Sequence, residues 1–378
     1  MKYGYIDSIR GIAILMVIFL HTGQRVDGLG MWLVGLSGYG QMGVQLFFVA
    51  SAYTLCLSWL GRTDEPNKTR DFFIRRFFRI APLYYLGIVL YAGISVGESL
   101  FDGDGAVVGY QYSPINVLAN VLLIHGLYPP ANNVIVPGGW SIGTEVIFYA
   151  LFPLLIFVLS KKTRNPIGAS VIAFILSVVL SQAALLAILE ITGKVLVNNK
   201  FLYFSVLVQL PVFILGMAYY FMNTAGKWPV RSINGNAFGL MAATAVAGAI
   251  WIFAGPYAFS LIPAVSGVSF LFLFALCEKA DGQGMRFIRW IGTLSYSMYI
   301  FHWFFAHTLT ERLSGRLAQY IGPDLTLAVL YPAAVACTVL LAWLSHRFLE
   351  TRFIHLGKAI IARMDARTGA AKVVPLRL

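Results

Sequence analysis

The sequence predicts an all-α, polytopic membrane protein, and three observations carry that prediction. Of its 378 residues 58% are hydrophobic and only 12% charged, with a mean hydropathy of +0.75. Apolar runs of about 20 residues, the length that crosses the hydrocarbon layer, recur from end to end. Lysine and arginine cluster between alternate runs, as they do in a chain threaded back and forth through a bilayer.

Ten spans follow, at 8–25, 41–60, 82–98, 143–160, 167–190, 201–222, 237–254, 258–277, 291–310 and 325–346. The first is a retained span and not a cleaved leader, because it is long, contains Arg10 and His21 and lacks a small-residue cleavage site. Segments 61–81, 161–166, 223–236, 278–290 and 347–378 hold six, three, two, three and seven basic residues, which with Lys2 and Arg10 makes 23 of the 28. The positive-inside rule makes that side cytoplasmic and puts both termini there. The apolar stretch 113–128, SPINVLANVLLIHGLY, is short, and a crossing there would invert every later loop. It is therefore predicted as a re-entrant or interfacial helix on the outer side. Residues 1–350 form the transmembrane domain and 351–378 a basic, amphipathic cytoplasmic tail on the inner membrane surface. The net charge of +12 faces anionic lipid, and nucleic acid is excluded as a partner. Cys56, Cys277 and Cys337 sit in apolar runs and suggest packing, with no disulfide framework.

Chemistry is sparse in such a chain, so ionisable groups at membrane depth stand out. Arg10 and His21 are eleven residues apart, about 1100° of helix rotation, and so share a face with Asp7 close by. Such groups cost several kcal/mol in lipid unless they face a polar interior. One reading is a cavity-lining pair, with His21 suited to proton transfer near neutral pH. The other is an interfacial arginine snorkelling to headgroups and a histidine packed in the bundle. The loop RDFFIRRFFRIAP carries Arg75, Arg76 and Arg79, whose planar forks suit phosphate but equally suit anionic lipid. In PGGWSIGTEVIFY, Glu145 lies about one turn into the fourth span, either as a dipole-favoured cap or facing the same cavity as His21. Ser141 and Thr144 are available to cap that helix. SYSMYIFHWFFAH adds Tyr296, Tyr299 and His302, while His125, His346 and His355 are taken as structural or surface groups. No zinc spacing, P-loop, nucleophile elbow or dinucleotide fingerprint occurs, so no metal is expected.

Five blocks, YIDSIRGIAILMVIFLH, QLFFVASAYTLCL, RRFFRIAPLYYL, WSIGTEVIFYALFPLL and SYSMYIFHW, together resemble the acyltransferase type 3 family of integral membrane O-acyltransferases, in the family's order from about residue 5 to 350. The family's arginine and histidine motif falls on Arg10 and His21, its basic motif on Arg75, Arg76 and Arg79, and its tryptophan-serine to glutamate motif on Trp140, Ser141 and Glu145. Ser51 is followed by Ala52 where the family commonly has glycine, and no proline follows His302 closely. The resemblance implies transfer of an acyl group, acetyl above all, from cytoplasmic acyl-CoA to a hydroxyl of an envelope or exported polysaccharide or glycolipid at a bacterial inner membrane. On that reading His21, Arg10 and Glu145 are catalytic and Arg75, Arg76 and Arg79 hold the acyl-CoA phosphates. Trp140, Ser141, Tyr299 and His302 touch substrate. Two alternatives remain open on the residues alone: a transporter or flippase of an anionic or saccharide solute, and transfer of succinyl or another acyl group to a lipid or small molecule.

Overall fold

The computed structural model describes residues 4–102, 109–193, 200–253, 258–280 and 283–367. Lys2, Asp104, Lys194 and the tail from residue 368 lie outside them. The chain is built from helices: α1 (Gly4–Gly23), α2 (Met31–Tyr39), α3 (Gly43–Leu60), α4 (Lys68–Asp102), α5 (Pro114–Val121), α6 (Gly139–Phe157), α7 (Pro166–Thr192), α8 (Lys200–Phe204), α9 (Val206–Thr224), α10 (Ile233–Phe253), α11 (Ile262–Lys279), α12 (Arg286–Trp303), α13 (Thr310–Ile321), α14 (Pro323–Ser345) and α15 (Thr351–Arg367).

Side-chain ties show which ends lie together. At one end Tyr296 donates to the Ile80 carbonyl at 2.7 Å, Ser297 to Glu350 at 2.9 Å, and Arg70 pairs with Asp365. The turn before α10 joins that end too, through Lys279 on the Arg231 carbonyl and Asn223 on Glu278. At the other end Arg25 meets Glu311 at 3.1 Å, the Gly30 amide donates to Asp324 at 2.9 Å and Arg312 approaches Glu98 at 3.7 Å. Ten helices, α1, α3, α4, α6, α7, α9, α10, α11, α12 and α14, alternate between the two ends. The first end gathers most of the basic residues.

Among the described residues nine helical stretches are long and apolar enough to cross a membrane. The expected span 291–310 is not one of them. Its helix α12 carries Arg286, Arg289, Ser295, Tyr296, Ser297, Tyr299 and His302, because it runs through the middle of the bundle against α1 instead of facing lipid. By contrast α7 and α10 bury only 11% of their apolar windows and form the lipid-facing flank. The stretch 113–128 is no span: α5 has eight residues, about 12 Å, and then gives way to short 3-10 turns.

Two boundaries differ from the hydropathy reading. The basic segment 70–79 is not a loop but the first turns of α4, continuous through Pro82 into the span. Its bulky apolar residues, Phe72, Phe73, Phe77, Phe78 and Ile80, recur among the arginines at helical spacing, so the segment packs as helix. The tail is likewise ordered to Arg367, with α15 packed along α4 where Gly357 sits against Phe78.

Lipid is as apolar as leucine, so helices in a bilayer associate through close packing and not through hydrophobic burial. The crossing of α1 and α12 shows how close. A Cβ on Gly292 would stand 1.6 Å from the Asp7 carbonyl oxygen, and one on Gly11 would stand 2.2 Å from that of Ile288. Backbone touches backbone there, and that contact sets the depth of every side chain on both helices.

Candidate active site

Two cavities meet at the centre of the bundle. The inner one, toward the basic end, has a volume of about 80 Å³ and is lined by Arg10, Arg76, Arg79 and Glu145 together with Ser51, Tyr149 and Tyr296. That is room for roughly three waters, a slot and not a nucleotide pocket. The outer one holds about 430 Å³ and is lined by His21, Gln24, Gln41, Gln45, Trp140, Tyr203 and Trp303. Val44 and Tyr299 line both cavities and form the wall between them.

Charge dominates the inner slot. Three guanidinium groups face it and one carboxylate, Glu145, stands among them. Arg10 has Asp7 one turn before it at 3.9 Å, and the Arg76 guanidinium lies over the rings of Phe72 and Tyr149 at 5.7 and 5.5 Å. The site is suited to an anion, since partly buried cations need opposite charge. Arg75, one residue from Arg76, turns the other way. It holds Glu65 with two parallel hydrogen bonds of 3.0 and 2.8 Å, while Arg62 holds the same carboxylate at 2.7 Å. Burial alone would raise the Glu65 pKa, but its bonds to Arg75 and Arg62 outweigh that and hold it below the usual range. The three arginines of the sequence motif are thus divided: Arg76 and Arg79 line the slot and Arg75 braces the turn before α4.

Glu145 stands deeper than expected. The chain enters α6 through Gly138, whose φ of 78° favours glycine and whose Cβ would meet the Tyr299 hydroxyl at 2.9 Å. The helix therefore starts at Gly139, about four residues earlier than the hydropathy boundary, and Glu145 is almost two turns inside. Neither Ser141 nor Thr144 caps it. Ser141 bonds the Tyr299 hydroxyl at 2.8 Å and Thr144 donates to the Phe204 carbonyl at 2.6 Å. Glu145 Oε1 accepts hydrogen bonds from Ser51 at 2.5 Å and Tyr149 at 2.6 Å. Glu145 faces the slot and does not share a cavity with His21.

The outer cavity is built from amides and aromatic rings. His21 Nδ1 lies 3.0 Å from Gln24 Oε1, and an amide oxygen can only accept, so Nδ1 carries the hydrogen and Nε2 is the basic nitrogen. Its ring meets Trp303 edge-on at 4.7 Å and His302 at 5.3 Å. His302 lines neither cavity: it is 1% exposed behind His21, with Nδ1 on the Tyr299 carbonyl at 2.6 Å and Nε2 without a partner. Trp140 lines the outer cavity and stacks on Phe204 at 4.3 Å. Tyr299 closes the wall, its hydroxyl 3.1 Å from the Gly138 carbonyl. His125 is fully buried and pins the start of α6 through the Gly139 carbonyl at 2.9 Å.

Arg10 and His21 therefore share a helix face yet serve different cavities. Sequence reasoning named both and missed their companions. Tyr149 is four residues from Glu145 and Gln24 three from His21, spacings that helical geometry makes neighbours, so both were within reach. Gln45 and Trp303 come from other helices, and no spacing announces them; Ser51, singled out only through the family resemblance, reaches Glu145 from another helix too.

A family model described as an acyltransferase domain matches residues 3–347. The chain is similar to the peptidoglycan O-acetyltransferase OatA of Listeria monocytogenes, 26% identical over 370 residues that cover 92% of this chain and 55% of the relative. It is likewise similar to the O-acetyltransferase OatA of Staphylococcus aureus, 26% identical over 405 residues, 96% of this chain and 59% of the relative. A putative O-acetyltransferase of Staphylococcus aureus is 24% identical over 384 residues, 92% of this chain and 56% of the relative. The chain thus spans little more than half the length of these relatives. No solved structure matches it.

Proposed function

The chain belongs to the acyltransferase type 3 family, and from that premise we propose that it carries an acetyl group from cytoplasmic acetyl-CoA to a hydroxyl of an envelope polysaccharide, at a bacterial cytoplasmic membrane with its basic end inside. The observation that carries this reading is the pair of abutting cavities, one lined with guanidinium groups and the other with an imidazole, with Val44 and Tyr299 lining both. A saccharide acceptor is supported by the Listeria relative, a peptidoglycan O-acetyltransferase.

The donor enters from the basic end. Its phosphates are held at Arg10, Arg76 and Arg79, and the slot is narrow enough to admit a linear thioester arm while keeping the nucleotide outside. The arm passes between Val44 and Tyr299 to bring the carbonyl to His21. An acceptor hydroxyl gives its proton to His21 Nε2 as its oxygen attacks the thioester carbon; the carbon–sulfur bond breaks and the thiolate leaves, taking that proton back from the imidazolium. Gln24 keeps the base in the reactive tautomer. Glu145, fixed by Ser51 and Tyr149, is the counter-charge that keeps the three cations in place between donors.

The test is label transfer. Purified protein with radiolabelled acetyl-CoA and envelope glycan should release free coenzyme A and move label to the glycan, and the His21→Ala protein should do neither. Uptake of a solute without thioester cleavage would favour a transporter and end this reading.

A further inference from the structure

A third cavity, of about 270 Å³, lies beside the outer one, between α4, the segment before α6 and the turn that follows α12. It shares Trp303 and Asn133 with the His21 cavity, so one indole ring and one amide separate the two spaces. We infer that this side cavity is a subsite for a second sugar ring, and that the acceptor is a chain of at least two linked rings and not a single sugar or small alcohol. The inference rests on the acyl-transfer reading above.

The lining supports a saccharide. Glu98, Gln111 and Asn133 present a carboxylate and two amides, and Ser95 and Thr308 add hydroxyls. Sugars offer donors and acceptors all round the ring together with an apolar C–H face, and planar polar side chains beside an aromatic wall match both. A lipid tail would meet polar groups it cannot satisfy. The aromatic wall is also fixed. Trp303 stacks on His307 at 4.0 Å on one face and turns toward His21 at 4.7 Å, and His307 is bonded to Arg25.

The mouth is wet. Glu98 and Arg312 are 47% and 69% exposed and stand 3.7 Å apart, and ionised groups of that exposure belong in water or headgroups and not in hydrocarbon. Size agrees as well. At about 270 Å³ the space falls just below the range of self-sufficient ligand pockets, about 300 to 1,000 Å³, as a compartment for one ring of a longer ligand should. Contacts this far from the reacting hydroxyl raise turnover by holding the acceptor in register with His21.

The experiment measures kcat/KM for acetyl transfer from acetyl-CoA to β-1,4-linked N-acetylglucosamine acceptors of one, two and three rings, with the full chain in detergent. Native protein should favour two rings over one by tenfold or more, with little further gain from a third. Thr308→Trp, which fills the side cavity, and Gln111→Ala, which removes an amide with little risk to folding, should bring the two-ring to one-ring ratio close to one. Equal kcat/KM for one and two rings in native protein overturns the subsite, as does an unchanged ratio in both variants. Failure to acetylate any of these sugars or isolated envelope glycan, with no coenzyme A released, removes the acyl-transfer reading itself and the subsite with it.

Discussion

The inner slot and the outer cavity lie end to end along α1, yet they are built on opposite principles. The slot is small and lined by three cations and one anion; the outer cavity is roomy and lined by neutral amides, aromatic rings and one imidazole. Charge attracts at long range and discriminates poorly among anions, whereas amides and rings act only at contact and discriminate by shape. The contrast suits the proposed pair of substrates, a polyanionic donor and an acceptor that must be told apart from other polyols. One helix face serves both because eleven residues separate Arg10 from His21 by about 16 Å.

The sharpest way to break this division is His21→Ala. Turnover should fall by about 10²- to 10⁴-fold, while coenzyme A affinity measured by calorimetry stays within twofold; a joint collapse would merge the two regions into one site. Next, Arg76→Ala should weaken coenzyme A binding by about 10- to 100-fold, the worth of a charge-assisted hydrogen bond, and Arg75→Ala by less than about threefold, since Arg75 is engaged with Glu65. Equal losses would place both arginines on the donor. Gln24→Leu should lower kcat by about tenfold with KM for acetyl-CoA unchanged, as a loosened general base does.

The smallest effect lies at the turn before α4. Glu65 is held below its usual value of 4.5 in the folded chain, so its contribution to stability is present above that pH and is lost as pH falls through the lower folded value. Native protein should exceed Glu65→Gln in Tm at pH 7 by an amount worth under about 1 kcal/mol, and the gap should narrow as pH falls below 4.5.

The spans, the extra helix at 113–128 and the gathering of basic residues at one end were legible because hydropathy and charge are local properties. The crossing at 291–310 was predicted too, although α12 is the one of the ten that falls short of the apolar spans. The error over Glu145 came from a boundary: Trp140 and Ser141 look like an approach to a helix, and only the left-handed turn at Gly138, held against Tyr299, shows that they are already in it. The division between Arg75 and Arg76 turns on Glu65, which a residue count assigns only to a loop. Pairings such as Ser51 with Glu145 join helices 94 residues apart, and nothing in the local pattern carries them.

The glycine contacts between α1 and α12 also restrict how relatives with this architecture could diverge. Sliding one helix past the other by a single turn would shift the imidazole pair by 5.4 Å, and any side chain at Gly292 would collide with the Asp7 carbonyl. Those two rods behave as a jig. On the proposed function, new acceptor preferences must then be sought in the panels around it, the rims contributed by α4, α8 and the segment leading into α6, which makes those surfaces the place to begin when retargeting the proposed transfer.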